Sequence, residues 1–222
     1  MIRSIYEDNH LLVLLKPAGI PTMGVEAGRD SFLEQARQYV KEKYNKPGNV
    51  YLGVVSRLDT PTSGVLVFAR TSKGAERLNA QFRERTVEKI YWALAQGNPQ
   101  ADSDRWEDFI VHDSRHRKVN PVNSDNPDAI DCRLSFQRLK QYPSYFWAQI
   151  HLETGRKHQI RLQFSQRGFA LLGDYKYGSR IKFPEGIALH CRSISFLHPV
   201  TKEALTFTAP VPDCWKKFGV TN

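Results

Sequence analysis

The residue best placed for chemistry is an aspartate at the point where a β-rich segment turns into a loop. Residues 56–64 are Ser-Arg-Leu-Asp-Thr-Pro-Thr-Ser-Gly, so Asp59 directly precedes the loop. Functional side chains are often held at strand ends, where a carboxylate can act as a nucleophile or a base. The same pattern also fits an aspartate that only caps its own turn, with Thr62 and Ser63 in a similar role. The residues alone leave both interpretations open.

A second candidate is a basic segment, residues 154–161, with the sequence Thr-Gly-Arg-Lys-His-Gln-Ile-Arg. In a helix, His158 and Arg161 would share one face. Because the N-terminal turn of a helix carries partial positive charge, cations there are unfavourable unless an anion lies nearby. The segment is therefore either a solvated basic helix end or an anion site for a phosphate or a buried carboxylate.

Basic residues also precede an aromatic residue on an expected strand. Arg83, Arg85 and Lys89 come before Tyr91, and this mixture suits nucleic acid, whose phosphates bind cations and whose bases stack on flat rings. An ordinary strand with a charged approach fits equally well. Residues 115–118, Arg-His-Arg-Lys, form another basic cluster that either binds a nucleic-acid backbone or is solvated surface.

The composition is that of a globular protein with an excess of positive charge. Of the 222 residues, 41% are hydrophobic and 25% charged, which excludes extensive disorder. Lys and Arg number 32 against 23 Asp and Glu, a net charge of +9 that favours a polyanionic partner such as nucleic acid. A solvated surface of mixed charge remains the alternative explanation.

The cysteines and the N-terminal sequence point to a reducing, cytoplasmic location. Cys132, Cys191 and Cys214 are odd in number and far apart, which argues against a disulfide framework and a paired-cysteine metal site. We find no apolar run typical of a signal peptide and no stretch of about 20 apolar residues that could span a membrane.

The elements that must position these residues follow from periodicity and turn residues. Most strands connect through short loops, which favours an α+β fold with a mixed, largely antiparallel sheet. Residues 98–131 are polar and predict a surface excursion with one hairpin. The spacing predicts helices over 32–44, 72–83 and 154–166, the last ended by Gly168, and strands over 11–15, 54–59, 65–69, 90–95, 132–136, 145–152, 189–197 and 205–208.

Several motifs in the right order resemble the RluA-type RNA pseudouridine synthases along nearly the whole chain. Residues 57–59 with 62–64 are similar to the signature loop of that family, and 155–161 to its third motif. Further matches are the opening strand and Lys-Pro-Ala-Gly turn at 6–8 and 11–19, the lysine-x-tyrosine strand at 89–91, and the C-terminal pattern at 172–174 with 177–178, 189–190 and 198–199. The family loop most often begins with His, where this chain has Ser56.

The resemblance implies a pseudouridine synthase fold, an α+β domain whose long, mostly antiparallel sheet has flanking helices and a central catalytic cleft. The first expected strand lies close to the N-terminus, so we expect one catalytic domain over residues 1–222 without an S4 RNA-binding domain. The implied partner is structured RNA, a tRNA or rRNA stem-loop, bound by a monomer. The implied reaction changes no redox state and gains no group, so neither cofactor nor metal is expected.

The resemblance also implies roles for individual residues. Asp59 would attack ribose C1′, or act as a base at C2′ to give a glycal, with Arg161 as the cation that keeps it ionised. Tyr91 would stack on the target base and help to remove the C5 proton. Arg57 would fill the stack vacated by a flipped uridine. The substrate would be bound by Arg156, Lys157, His158, Arg117 and Lys118.

Two other functions are compatible with parts of this pattern. A non-catalytic RNA-binding module could share the fold, but the presence of Asp59, Tyr91 and Arg161 together argues against it. A glycoside or nucleoside hydrolase could use Asp59, but most such enzymes need two carboxylates, and no second acid stands out in the motifs.

Overall fold

The computed structural model describes residues 2–24, 30–113 and 118–221. Arg117, which is predicted to contact RNA, lies outside the described residues. Nowhere in these ranges does a helix combine the length and the hydrophobicity needed to cross a bilayer.

The described residues form strands, α-helices and two short 3-10 helices. The strands are β1 (Arg3–Glu7), β2 (Leu11–Lys16), β3 (Gly53–Val54), β4 (Ser63–Ala69), β5 (Glu88–Gln96), β6 (Ser103–Asp113), β7 (Lys118–Val122), β8 (Ile130–Gln141), β9 (Tyr145–Leu152), β10 (Leu189–Leu197) and β11 (Ala204–Thr208). The α-helices are α1 (Phe32–Lys43), α2 (Ser72–Arg83) and α3 (Gln159–Gln166), and the 3-10 helices are Tyr175–Tyr177 and Asp213–Phe218. This content confirms the predicted α+β class.

The chain divides into two compact units. The first contains the residues up to 88 together with 191–212, and the second contains residues 89–190 together with 213 onwards. The expectation that all of them belong to one catalytic domain stays a prediction.

In the first unit the strands lie in the order β1-β2-β4-β10, with β3 paired to β4 and β11 to β10. The pairs β1–β2, β2–β4, β3–β4 and β10–β11 are antiparallel. The near-continuous apolar runs of β2 and β4 are almost wholly buried, as expected for strands covered on both faces. Helices α1 and α2 begin where predicted: the side chains of Ser31 and Thr71 accept hydrogen bonds from the N–H groups of Glu34 and Gly74.

In the second unit five strands form the antiparallel order β5-β9-β8-β6-β7. Tyr91 and Trp92 point to opposite faces, as the alternation in this strand predicts. Helix α3 inserts Phe164 between the aromatic rings of the sheet, with ring centroids 4.8 Å from Trp106 and 5.9 Å from Phe136. These aromatic contacts form the core that fixes α3 against the strands.

Three sequence-based expectations were wrong in part. Within 98–113 and 118–131, β6 pairs with β7 as expected for one hairpin, but β6 also pairs with β8 and buries Trp106 and Ile110, so it belongs to the sheet. Its apolar residues alternate with exposed polar ones, which gave the segment its polar appearance. The strand expected over 54–59 is limited to Gly53–Val54. Helix α3 begins at Gln159 rather than at 154, because His158 has the left-handed φ of 55°, which a right-handed helix cannot continue.

Gly64, the second residue of β4, provides a test of how this strand packs. Its φ is +128°, and a Cβ added there would overlap the backbone of Cys191. We expect Gly64→Ala to lower the free energy of unfolding by about 3 kcal/mol, from backbone strain and steric overlap together. Urea unfolding measures the loss. Gly48→Ala is the matched control, because a Cβ there meets nothing within 4 Å. Equal stability of the two variants would contradict the described packing.

Candidate active site

Asp59 lies in the loop that connects β3 to β4 in the first unit. The loop turns tightly, because the N–H of Thr62 donates to the carbonyl of Asp59 at 3.0 Å. Asp59 is half-buried, whereas Thr62 and Ser63 behind it are buried at 2% and 3% exposure. Asp59 is therefore only partly exposed, and the C-terminal side of its loop is anchored in β4.

A fully buried lysine is hydrogen-bonded to the backbone of this loop. Lys16 ends β2, has 0% of its surface exposed, and donates from Nζ to four carbonyl oxygens. The acceptors are the carbonyls of Pro17 at 2.9 Å, Asp59 at 3.3 Å, Thr60 at 3.3 Å and Thr62 at 2.8 Å. An ammonium group has three N–H donors, so at least one of them is shared between two carbonyls.

Lys16 is also coupled electrostatically to Asp59. Burial lowers the pKa of Lys16 to about 8, while the negative charge of Asp59 acts in the opposite direction. Lys16 had no role among the sequence-based predictions. The signal for it was its position directly after the apolar run of residues 11–15, at the end of a buried strand.

Thr22 fixes the residue that precedes Asp59. Its hydroxyl, at 4% exposure, donates to the carbonyl of Leu58 at 2.8 Å and accepts from the N–H of Leu58 at 3.2 Å. The N–H of Gly19 donates to the carbonyl of Thr60 at 2.8 Å. Hydrogen bonds thus hold both neighbours of Asp59, and the catalytic candidate has a fixed backbone.

The remaining predicted residue of this unit, Arg57, is exposed. It lies two residues before Asp59 in the chain. Ser56, at the position where the resembled family most often has His, is half-buried and lies 3.4 Å from the N–H of Val67.

The other predicted catalytic residues, Tyr91 and Arg161, belong to the second unit. Tyr91 is 8% exposed and pairs across the sheet with Ile150. Arg161, at 5% exposure, forms a two-pronged ion pair with Asp174, from Nε at 2.6 Å and from Nη2 at 2.8 Å. Asp174 is 1% exposed, so the basic segment binds a buried carboxylate, one of the alternatives that the sequence left open.

The predicted substrate-binding residues of the basic segment have different surroundings. Arg156 is half-buried and donates to the carbonyl and carboxylate of Asp131, at 3.1 Å and 2.9 Å. Lys157 is exposed. His158 places Nδ1 2.8 Å from the hydroxyl of Tyr177. The structure brings the segments of Lys157 and Lys118 together around this tyrosine, because the N–H of Val119 donates to the same hydroxyl at 3.3 Å.

Within residues 2–24, 30–113 and 118–221, the side chains of His, Cys, Asp and Glu form no group of three or more that could hold a metal ion. Cys132 and Cys214 are buried thiols whose pKa burial raises, to about 12 and about 11.

Most of the chain is similar in sequence to known proteins. A family model described as RNA pseudouridylate synthase matches residues 10–166, which include Asp59, Tyr91 and Arg161. A ribosomal large subunit pseudouridine synthase C of Vibrio vulnificus is 32% identical over 96% of this chain and 67% of its own length. An uncharacterized RNA pseudouridine synthase of Bacillus subtilis, YlyB, is 33% identical over 94% of this chain and 68% of its own length. The chain thus spans about two thirds of these relatives.

Solved structures share the fold. Human RNA Pseudouridylate Synthase Domain Containing 4 superimposes with a TM-score of 0.81 at 22% identity, over 99% of this chain and 95% of that chain. Human RNA Pseudouridylate Synthase Domain Containing 1 gives a TM-score of 0.75 at 23% identity, over 96% of this chain and 84% of that chain.

The buried lysine generates a prediction about pH. Lys16 titrates near 10.5 when unfolded and near 8 when folded, so between these values the unfolded chain binds more protons. The contribution of Lys16 to the free energy of unfolding therefore rises with pH in this window, by up to about 1.4 kcal/mol per pH unit. In urea unfolding, we expect the free energy of unfolding of the wild type minus that of Lys16→Met to increase with pH over this window. Lys73→Met, at an exposed position in α2, should show a constant difference. A constant difference for Lys16→Met as well would contradict the assigned titration.

Proposed function

The chain belongs to the RNA pseudouridylate synthase family, and we propose that it isomerises specific uridines in tRNA or rRNA to pseudouridine. In this proposal Asp59 is the catalytic carboxylate. The observation that carries it is the fixed loop, in which Lys16 and Thr22 hold the backbone on both sides of Asp59. The names of several relatives, such as the ribosomal large subunit pseudouridine synthase C of Vibrio vulnificus, support a ribosomal substrate.

The reaction breaks the bond from uracil N1 to ribose C1′, turns the base, and forms a bond from C5 to C1′. The proton on C5 leaves and N1 gains one, so the product has the same atoms as the substrate. Asp59 either attacks C1′ or removes the proton at C2′ to form a glycal. Both routes need an ionised carboxylate at a defined position, and catalysis is sensitive to displacements of such a group by about 1 Å. The hydrogen bonds of Lys16 and Thr22 supply that fixed position.

We assign Tyr91 to the target base. Its side chain belongs to β5, which pairs with β9 in the second unit, and is largely buried, so the ring is held rigidly for stacking. The phenol can assist removal of the C5 proton after the base has turned.

We assign Arg161 as the cationic partner in the active site. Asp174 accepts hydrogen bonds from Nε and Nη2 of its guanidinium. The pair fixes the orientation of the side chain, and the Tyr177 ring lies 5.0 Å from the guanidinium carbon. A cation held in this way is preorganised for an anionic group of the substrate or of the enzyme.

We assign Arg57 to the RNA stack. A uridine in a stem must leave the stack to react, which costs a few kcal/mol. The exposed guanidinium of Arg57, two residues from Asp59, can occupy the gap that the base leaves. A uridine in or beside a loop is the preferred target, because it is easier to extrude than a paired one.

The central prediction concerns Asp59→Asn, which keeps the shape of the side chain and removes its charge. We expect tritium release from RNA with C5-labelled uridine to stop, while RNA affinity stays within about tenfold of wild type. Thr60→Ser, at an exposed neighbouring position, is the control and should retain activity. Appreciable turnover by pure Asp59→Asn would contradict the assignment of Asp59 as the catalytic carboxylate. Release of free uracil by the wild type would instead indicate a hydrolase.

A further prediction separates the chemical role of Arg161 from its structural one. Arg161→Met leaves Asp174 buried without its ion pair, and we expect a loss of about 3–5 kcal/mol of stability together with activity. Arg161→Met combined with Asp174→Leu replaces the pair by apolar side chains and should recover much of that stability. We expect the double variant to remain inactive in the tritium assay. A double variant that is both stable and active would show that Arg161 serves only the fold.

A further inference from the structure

The hydroxyl of Tyr177 joins three separate segments of the second unit. Tyr177 is 7% exposed, accepts from the N–H of Val119 at 3.3 Å, and lies 2.8 Å from Nδ1 of His158. The joined segments are the start of β7, the turn before α3, and the 3-10 helix that contains Tyr177 itself. In each segment the residue immediately before the contact is a lysine: Lys118, Lys157 and Lys176.

Lys118 and Lys157 lie close enough to Lys176 for their charges to act on it. Burial lowers the pKa of Lys176, and the charges of Arg161, Lys118 and Lys157 lower it further, with Asp174 acting in the opposite direction. Asp174 is already the partner of Arg161. Asp113 lies opposite Lys118 in the β6–β7 pair. The four cations still outnumber these two carboxylates, and a local excess of positive charge favours a polyanionic partner.

The cluster is accessible and has an aromatic neighbour. Lys157 is exposed, and Lys118 and Lys176 are half-buried. Tyr175, which starts the same 3-10 helix, is 61% exposed. Surfaces that bind single-stranded nucleic acid combine cations for the phosphates with aromatic rings on which bases stack.

We propose that Lys118, Lys157 and Lys176 bind successive phosphates of one RNA strand, that Tyr175 stacks on a base of this strand, and that Tyr177 positions the three lysines. The site rests on the proposed function for the identity of its ligand, RNA. It adds to that function a strand-binding surface in which Lys176, Tyr175 and Tyr177 have roles that the sequence motifs did not indicate.

The experiment measures equilibrium binding of an oligouridylate of about ten nucleotides as a function of salt. The Asp59→Asn protein is used throughout, so that no turnover interferes. Replacing Lys118, Lys157 and Lys176 together with Ala should reduce the slope of log affinity against log salt by about 2, the value for three lost phosphate contacts on a single strand. The matched control replaces Lys41, Lys46 and Lys73 with Ala, which removes the same charge from exposed positions in the first unit.

The control variant should keep a slope close to that of the parent protein. Equal slopes for the two triple variants would overturn the proposal, because net charge alone would then account for binding. Since this assay measures binding without turnover, it is independent of the proposed activity. A wild type that binds through the cluster but releases no tritium would refute the proposed function and leave the site intact.

Two tyrosine variants test the other parts. Tyr175→Ala should weaken binding of the oligouridylate about tenfold without changing the salt slope, and should have no effect on an abasic oligomer of equal length. Tyr51→Ala, at a tyrosine that is 50% exposed in the first unit, is the control.

Tyr177→Phe keeps the ring and removes the hydroxyl. The folded variant should have a smaller salt slope than the parent protein. A folded Tyr177→Phe protein with the parental slope would exclude its positioning role.

Discussion

The burial of the Lys16 ammonium group is the interaction on which the candidate active site depends. A buried charge is costly unless its N–H groups are hydrogen-bonded, and the carbonyls that accept from Lys16 are those of Pro17 and of the loop that carries Asp59. If the loop moved away, the lysine would lose its acceptors inside the protein. The free energy that would be lost with these hydrogen bonds therefore opposes any movement of the loop.

The second unit follows the same principle with a different pair of charges. Arg161 and Asp174 are both nearly inaccessible, and a two-pronged ion pair joins them. The ring of Tyr177 contacts this pair, and its hydroxyl joins three backbone segments. A few buried polar groups thus determine where the exposed side chains of the unit lie.

The arginines and lysines of the second unit differ in their surroundings. Several arginines bind carboxylates through their planar, forked guanidinium groups, whereas the lysines around Tyr177 remain at the surface. The arginine pairs are Arg138–Asp102, Arg156–Asp131, Arg161–Asp174 and Arg167–Asp108. The net charge of the chain therefore overstates how many of its cations can meet RNA, and the location of the lysines is more informative than their number.

The sequence by itself determined the family, the α+β class and the candidates Asp59, Tyr91 and Arg161, because local motifs and their order carry this information. It also determined α1 and α2, whose capping residues and apolar spacing are local signals. Only the tertiary structure decided the role of Lys16, the pairing of Arg161 with Asp174 and the junction at Tyr177. These contacts join residues 43, 13 and 58 positions apart, as between Lys16 and Asp59, Arg161 and Asp174, and Val119 and Tyr177. No spacing pattern encodes such contacts, because they form only when the strands and turns that carry the two residues pack together.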